Sequence, residues 1–199
     1  RASACAAVVP IADALVKEGK RAEAVALYMT AIKGLRNRDL MRDVAGKLRA
    51  LGEEVDLAGE AGFITRWFVL GPFSPRKERE AADVIDPTAR VNTSLAASVE
   101  GKSYPWKYVE LDDPTGLLDL ERAISRQDNV VGYAYAEVRC DTARDLVLHL
   151  GSDDSFVCWV NGKKVGEFPG DRAYAPDQNR MEVHLEPGRN GILIRVGQG

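Results

Sequence analysis

The chain has 199 residues, 45% of them hydrophobic and 29% charged, with a formal net charge of −3. That is enough apolar material for one sandwich-sized domain and a smaller unit. No uncharged apolar run approaches the ~20 residues that a spanning helix needs, and no basic stripe of the kind that marks a nucleic-acid surface is present, so both partner classes are excluded.

The N-terminal third is helical by period. From Ala4 to Leu51 the apolar residues recur at helical spacing. Val8, Ile11 and Leu15 mark one run, and Ala24, Leu27, Tyr28, Ala31 and Ile32 a second, with Gly19 between them. Pro10 must stand in the first turn of its helix or kink it, because it has no amide hydrogen to donate further in. Leu40, Val44, Leu48, Leu51 and Val55 fall on one face of a third helix, which Gly52 is expected to end.

A change of period follows at Gly62. Aromatic and β-branched residues dominate Phe63 to Leu70, which predicts a buried strand stopped by Gly71-Pro72. From Ser74 to Asp128 the chain is poorly periodic and broken by Pro75, Pro87, Pro105 and Pro114; a long irregular segment of this kind usually wraps a surface or carries function. Within it, Tyr104, Trp106 and Tyr108 could stack on sugar rings or plug a sheet edge, with Trp106 as the ligand candidate or as cover for the core.

The C-terminal part reads as short strands with turns every ~8 to 12 residues, the pattern of an antiparallel sandwich. Val131, Tyr133, Tyr135 and Val138 cannot share one face without a bulge, whereas Leu146, Leu148 and Leu150 alternate cleanly inward. Asn161-Gly162 supplies the two left-handed residues of a type I′ hairpin turn. Met181, Val183 and Leu185 point inward, Pro187 to Gly191 turns the chain, and Ile192 to Val196 forms the last run. His149 and His184 fall on outer strand faces, where a solvated role is expected.

The three cysteines, Cys5, Cys140 and Cys158, have no zinc-like spacing. Cys158 shares a strand face with Phe156 and Val160 and is expected to be a buried free thiol, with a Cys140–Cys158 bridge as the alternative.

Two resemblances accompany this reading. Gly19-Lys20-Arg21-Ala22-Glu23-Ala24, Tyr28 and Ala31-Ile32 resemble the second half of a tetratricopeptide unit, in which small residues let two antiparallel helices approach. One such pair buries no continuous core alone, so it is expected either to cap a longer array or to dock on its neighbour. Trp67 to Phe73, Gly151-Ser152-Asp153-Asp154, Trp159-Val160-Asn161-Gly162-Lys163 and Pro187-Gly188-Arg189-Asn190 resemble the galactose-binding-like jelly-roll sandwiches, and the Ser-Asp-Asp hairpin is similar to the protective-antigen-type sandwich.

The fold class that follows is mainly β with an α-helical N-terminal part: a helical, tetratricopeptide-like unit over residues 1–58 and an antiparallel jelly-roll β-sandwich over 59–199, from which a closing strand could be missing. The resemblance implies a non-catalytic, carbohydrate-binding-like accessory module of a larger exported protein, extracellular, periplasmic or on the cell surface. Its polysaccharide or glycan ligand would meet Trp106, Asp153, Asp154, Arg172 and Tyr174, and Asp153 and Asp154 could also hold Ca²⁺ through hard carboxylate oxygens. Both aspartates are equally suited to capping turn amides. The alternative is a scaffold or spacer that meets a protein partner through its helical unit. A hydrolase ranks last, because no nucleophile and base can be named.

Overall fold

Helical spacing gives way to strand spacing in the computed structural model where the sequence changes period. The structure describes residues 2–35, 37–53, 56–74, 85–111 and 113–199; Val55 and Pro75 lie outside them. The chain divides into two compact units, Arg1–Thr65 with Glu110–Leu118, and Arg66–Val109 with Asp119–Gly199.

The first unit holds α1 (Ala2–Ala7), α2 (Val9–Lys17), α3 (Arg21–Gly34), α4 (Arg38–Ala50) and α5 (Leu57–Glu60); α2 to α4 are the three runs expected, and the short α1 and α5 are additions. Pro10 sits in the first turn of α2. The chain leaves α2 and α4 through left-handed residues that Gly19 and Gly52 adopt without a Cβ clash. Asn37 caps α4 by accepting the amide of Leu40 at 2.9 Å. Ala12, Ala24 and Ala31 are fully buried, which lets the helices close on Tyr28, Ile32, Val44 and Leu48. Three helices meet at one polar clasp: the Tyr28 hydroxyl donates to Asp13, and Lys47 reaches Asp13 at 2.9 Å and Asp43 at 2.9 Å. The residues that rejoin this unit late in the chain are held the same way, by Arg42 to Asp113 at 2.6 Å, with Thr115 on the same carboxylate.

The second unit contains β1 (Arg66–Phe73), β2 (Ala97–Val99), β3 (Lys102–Tyr104), β4 (Lys107–Glu110), a short α6 (Leu120–Ala123), β5 (Val130–Cys140), β6 (Arg144–Leu150), β7 (Phe156–Val160), β8 (Lys163–Phe168), β9 (Asn179–Leu185) and β10 (Gly188–Gln198). Six strands form one sheet in the order β4-β1-β5-β10-β7-β8, while β2 pairs β3 and β6 pairs β9. The fold is thus mainly antiparallel sheet with a small helical N-terminal part.

Alternation assigns the faces. Phe156, Cys158, Val160, Ile192 and Ile194 are buried on one face of the large sheet, and the β6–β9 pair buries Met181, Val183 and Leu185. Met181 lies against Gly166 of β8, where a Cβ would stand 2.4 Å from its sulfur. The opposite face carries Leu70, Tyr133, Tyr135 and Leu193 under Ile85, Ala97 and Val99 of the intervening segment.

Several expectations change. The first strand is not stopped by Gly71-Pro72 but runs to Phe73 across a register shift between Leu70 and Phe73, which absorbs the missing proline amide. The alternation in β5 is as expected: no bulge interrupts it against β10, and Val131, Tyr133 and Tyr135 share one face while Val138 takes the other. Residues Arg189 to Gly191 are strand rather than turn, paired with Arg139, Val138 and Glu137. The segment after Ser74 is also more regular than its composition, since it holds β2, β3 and β4.

The cysteines are free thiols, as expected. Cys140 pairs with Gly188 and Cys158 with Ile194, positions six residue steps apart along β10. At ~3.4 Å per residue that is roughly 20 Å, far beyond disulfide reach, which removes the Cys140–Cys158 alternative. Burial pushes the Cys158 thiol up to about 12. Thiol titration is therefore expected to count three free thiols in denaturant, with Cys158 unreactive in the native protein at pH 8; a denatured count of one would overturn the register.

The Tyr28 hydroxyl, followed by Lys47, holds the Asp13 carboxyl below its usual range. A depressed carboxylate contributes stability that is complete above its unfolded value of about 3.9 and is lost as pH falls through the lower folded value. Asp13→Asn is expected to flatten this acid limb in urea titrations of the helical signal, and Tyr28→Phe to cost about 1 kcal/mol at pH 7.

Candidate ligand groove

Two regions of the second unit bear on function. The first contains four of the five residues proposed from the sequence. Asp154 takes a left-handed backbone (φ 55°) at the entry to β7. Its amide donates to the Arg172 carbonyl at 2.9 Å, its Oδ1 accepts the Arg172 amide at 3.0 Å, and its Oδ2 accepts the Gly199 amide at 2.8 Å. Arg172 donates to Ser152 Oγ at 2.7 Å and Asn179 Oδ1 at 2.6 Å, and its guanidinium lies 4.2 Å from the Phe168 ring centre and 5.7 Å from that of Phe156. Tyr174 is half-buried beside Gly151, where a Cβ would stand 2.0 Å from the Ala175 carbonyl oxygen and 3.1 Å from the Tyr174 ring.

This is a clasp that ties the loop after β8 to the start of β7. Both oxygens of Asp154 accept backbone amides, which is the turn-capping role, and Arg172 is engaged through Nε and Nη2. Asp153 is exposed next to it. Among the described residues no three His, Cys, Asp or Glu side chains group as a metal cluster. Trp106 lies elsewhere: it is half-buried and meets Tyr135 edge-on at 6.3 Å, against the core face under residues 85–104.

The second region was not foreseen. On the Tyr135 face of the large sheet, two adjoining hollows of about 670 and 690 Å³ share Arg90, Val91, Tyr135, Glu137 and Arg189. One continues to Phe68, Tyr108 and Arg66, the other to Trp159, Leu193 and Asn161. Sheet register builds the floor, because Phe68, Tyr135, Leu193 and Trp159 are successive partners across β1, β5, β10 and β7. Gly191 makes room for it, since a Cβ there would lie 2.9 Å from the Tyr135 hydroxyl oxygen. Phe68 and Tyr108 meet edge-on at 5.5 Å, and Tyr108 is 52% exposed.

The wall is the loop from Ile85 to Leu95. Asp86 folds its start by accepting the Thr88 amide at 2.8 Å and hydroxyl at 2.6 Å, and Asn92 accepts the Ser94 amide at 3.0 Å. The Thr88 hydroxyl holds the Asp86 carboxyl below its ordinary range. The hairpin tip supports this loop closely enough that a Cβ at Gly162 would stand 2.6 Å from the Thr88 carbonyl oxygen.

Glu137 is the carboxylate of the groove. It accepts the Tyr135 hydroxyl at 3.2 Å and faces Arg189 at 3.4 Å and Arg90 at 3.6 Å. Burial, then Glu137, pushes the Tyr135 phenol up to about 12, so it remains a donor at neutral pH. The two histidines stand in surface pairs, His184 with Asp145 at 2.7 Å and His149 with Asp177 at 3.7 Å, as their outward register predicts.

The groove had weak sequence signals. Phe68 fell in a strand expected to be buried, Trp159 figured only in the sandwich resemblance, and Arg90 stood in a stretch without period. Only the three closely spaced aromatics Tyr104, Trp106 and Tyr108 pointed here, and of these Tyr108 rather than Trp106 presents its ring.

No protein-family model matches the chain, nor does any curated protein. Among solved structures it is similar to a Faecalibacterium prausnitzii beta-glucuronidase, at 12% identity and a TM-score of 0.38, and to a Ruminococcus gnavus beta-glucuronidase in complex with uronic isofagomine, at 11% and 0.34. Each match covers 67% of this chain and 20% of the other, so the chain spans about a fifth of the length of these enzymes.

If Asp154 is a turn cap, Asp154→Ala removes two acceptors of backbone amides and leaves a non-glycine residue in the left-handed region, a loss of about 2 to 3 kcal/mol in chemical denaturation. The melting temperature of the unmutated protein is expected to be the same in millimolar calcium and in chelator; a calcium-dependent rise would make the aspartates ligands instead.

Proposed function

We propose that the second unit is a galactose-binding-like jelly-roll domain acting as a non-catalytic, carbohydrate-binding accessory module of a larger protein, and that it binds through the groove on the Tyr135 face. The observation that carries this reading is the combination of an exposed ring, Tyr108, edge-packed on Phe68, with charged and amide side chains around one open hollow of about 670 Å³. A sugar ring offers an apolar face and a rim of hydroxyls, and aromatic surface beside guanidinium, carboxylate and amide groups complements both.

The carboxylate content of the groove favours binding over cleavage. Glycoside hydrolysis by the usual route takes two carboxyl groups flanking the bond, whereas Glu137 is the one acidic side chain lining either hollow among the described residues. The clasp at Asp154 and Arg172 serves in this reading to hold the sandwich together. A scaffold role through the helical unit finds support in Ile11 and Val16, large apolar side chains exposed on α2.

Calorimetry or affinity electrophoresis against a panel of soluble polysaccharides tests the reading. At least one is expected to bind, with Tyr108→Ala weakening it about tenfold, as the loss of one stacking contact of about 1.4 kcal/mol would do, while the variant stays folded with a melting temperature lowered by only a few degrees through the lost Phe68 contact. A panel that stays blank would overturn it.

A further inference from the structure

The charge on the groove is out of keeping with the rest of the chain. The protein is acidic overall, at −3, yet Arg66, Arg90, Arg139 and Arg189 all belong to the groove or to the sheet face that floors it. Arg139 and Arg189 are direct partners across β5 and β10, a placement in which like charges repel. Arg90 and Arg189 both turn toward the single carboxylate of Glu137, at 3.6 and 3.4 Å, separations at which neither forms a tight bidentate pair. Their side chains are 73% and 68% exposed, so nothing in the fold requires guanidinium groups at these positions.

A protein gains nothing in stability by crowding arginines on one sheet face, and repulsion of this kind is relieved when an anion arrives. Guanidinium forks match the planar carboxylate oxygens two to two, and the exposed Tyr108 ring lies at the other end of the same hollow. Resting on the carbohydrate-binding reading above, we infer that the groove selects carboxylate-bearing sugars: the ligand carboxylate takes Arg90 and Arg189 in competition with Glu137 while its ring lies toward Tyr108 and Phe68. Glu137 then tunes affinity by occupying the arginines when no ligand is bound.

The test is isothermal titration of the whole chain with an oligogalacturonate of four residues, with the same oligomer after carboxyl reduction, and with an oligoglutamate of equal charge, each at two salt concentrations. The uronate is expected to bind at least tenfold more tightly than its reduced form and than the peptide, and to weaken as salt rises. Arg90→Gln with Arg189→Gln should abolish the preference for the uronate without altering the melting temperature. Glu137→Gln should strengthen uronate binding severalfold, which a merely structural carboxylate would not do. Equal binding of the uronate and the reduced oligomer would overturn the acidic-sugar inference and leave the carbohydrate reading standing. Equal or tighter binding of the oligoglutamate would overturn the inference in favour of an acidic protein partner, and binding of none of the three, with the polysaccharide panel also blank, would overturn both readings.

Discussion

The second unit depends on the placement of its last strand. β10 pairs along eleven residues with β5 and along five with β7, and a slip of one residue would send every side chain to the opposite face. One amide fixes the register. Asn190 is wholly buried; its Oδ1 accepts from the Glu186 amide at 2.8 Å and from Asn161 at 2.7 Å, while its Nδ2 donates to the Glu186 carbonyl at 2.8 Å. Asn161 in turn accepts the Gly191 amide at 2.9 Å and donates its own amide to the Gly191 carbonyl at 2.9 Å. A buried amide satisfied on both ends tolerates no alternative neighbour, because any slip would leave its donors and acceptors unpaired at about 1 to 3 kcal/mol each. With the register set, Ile192 and Ile194 go to the core while Leu193 and Arg189 go to the groove.

Periodic features were legible in the sequence. Alternation in β6 and β9, helical spacing in α2 to α4, and the Asn-Gly turn all rest on local rules, and local rules can be read from neighbours in the chain. Where the reading changed, the deciding partner was distant. Pro187 to Gly191 carries every mark of a turn, yet Asn190 is drawn into a strand by Asn161, twenty-nine residues earlier. β2 and β3 were overlooked because Glu100-Gly101 is a poorer turn signal than Asn-Gly, although both residues take the left-handed backbone that a tight hairpin needs.

The candidate site followed the same division. Asp153 and Asp154 stood out because a paired carboxylate is conspicuous in a sequence, but Asp154 and Arg172 prove to be joined by backbone and side-chain bonds that close a loop. The groove residues come from β1, β4, β5, β7, β10 and a loop, so no window of the chain displays them together. Its arginines were hidden further by the acidic total, since net charge averages over faces that a ligand meets one at a time.

The contact between Gly162 and Thr88 has a consequence for engineering. Asn-Gly hairpin tips are the usual places to insert a tag, a fluorophore or a new loop, because they tend to project into solvent. Here the tip is a buttress, pressed against the backbone two residues before Arg90. An insertion at residues 161–162 would dislodge the groove wall and also break the Asn161 bonds to Asn190 and Gly191 that set the β10 register, so a fusion protein built at that turn would lose both the groove and part of the sheet's stability. The β2–β3 tip at Gly101, where a Cβ would meet nothing within 4 Å, is the safer position.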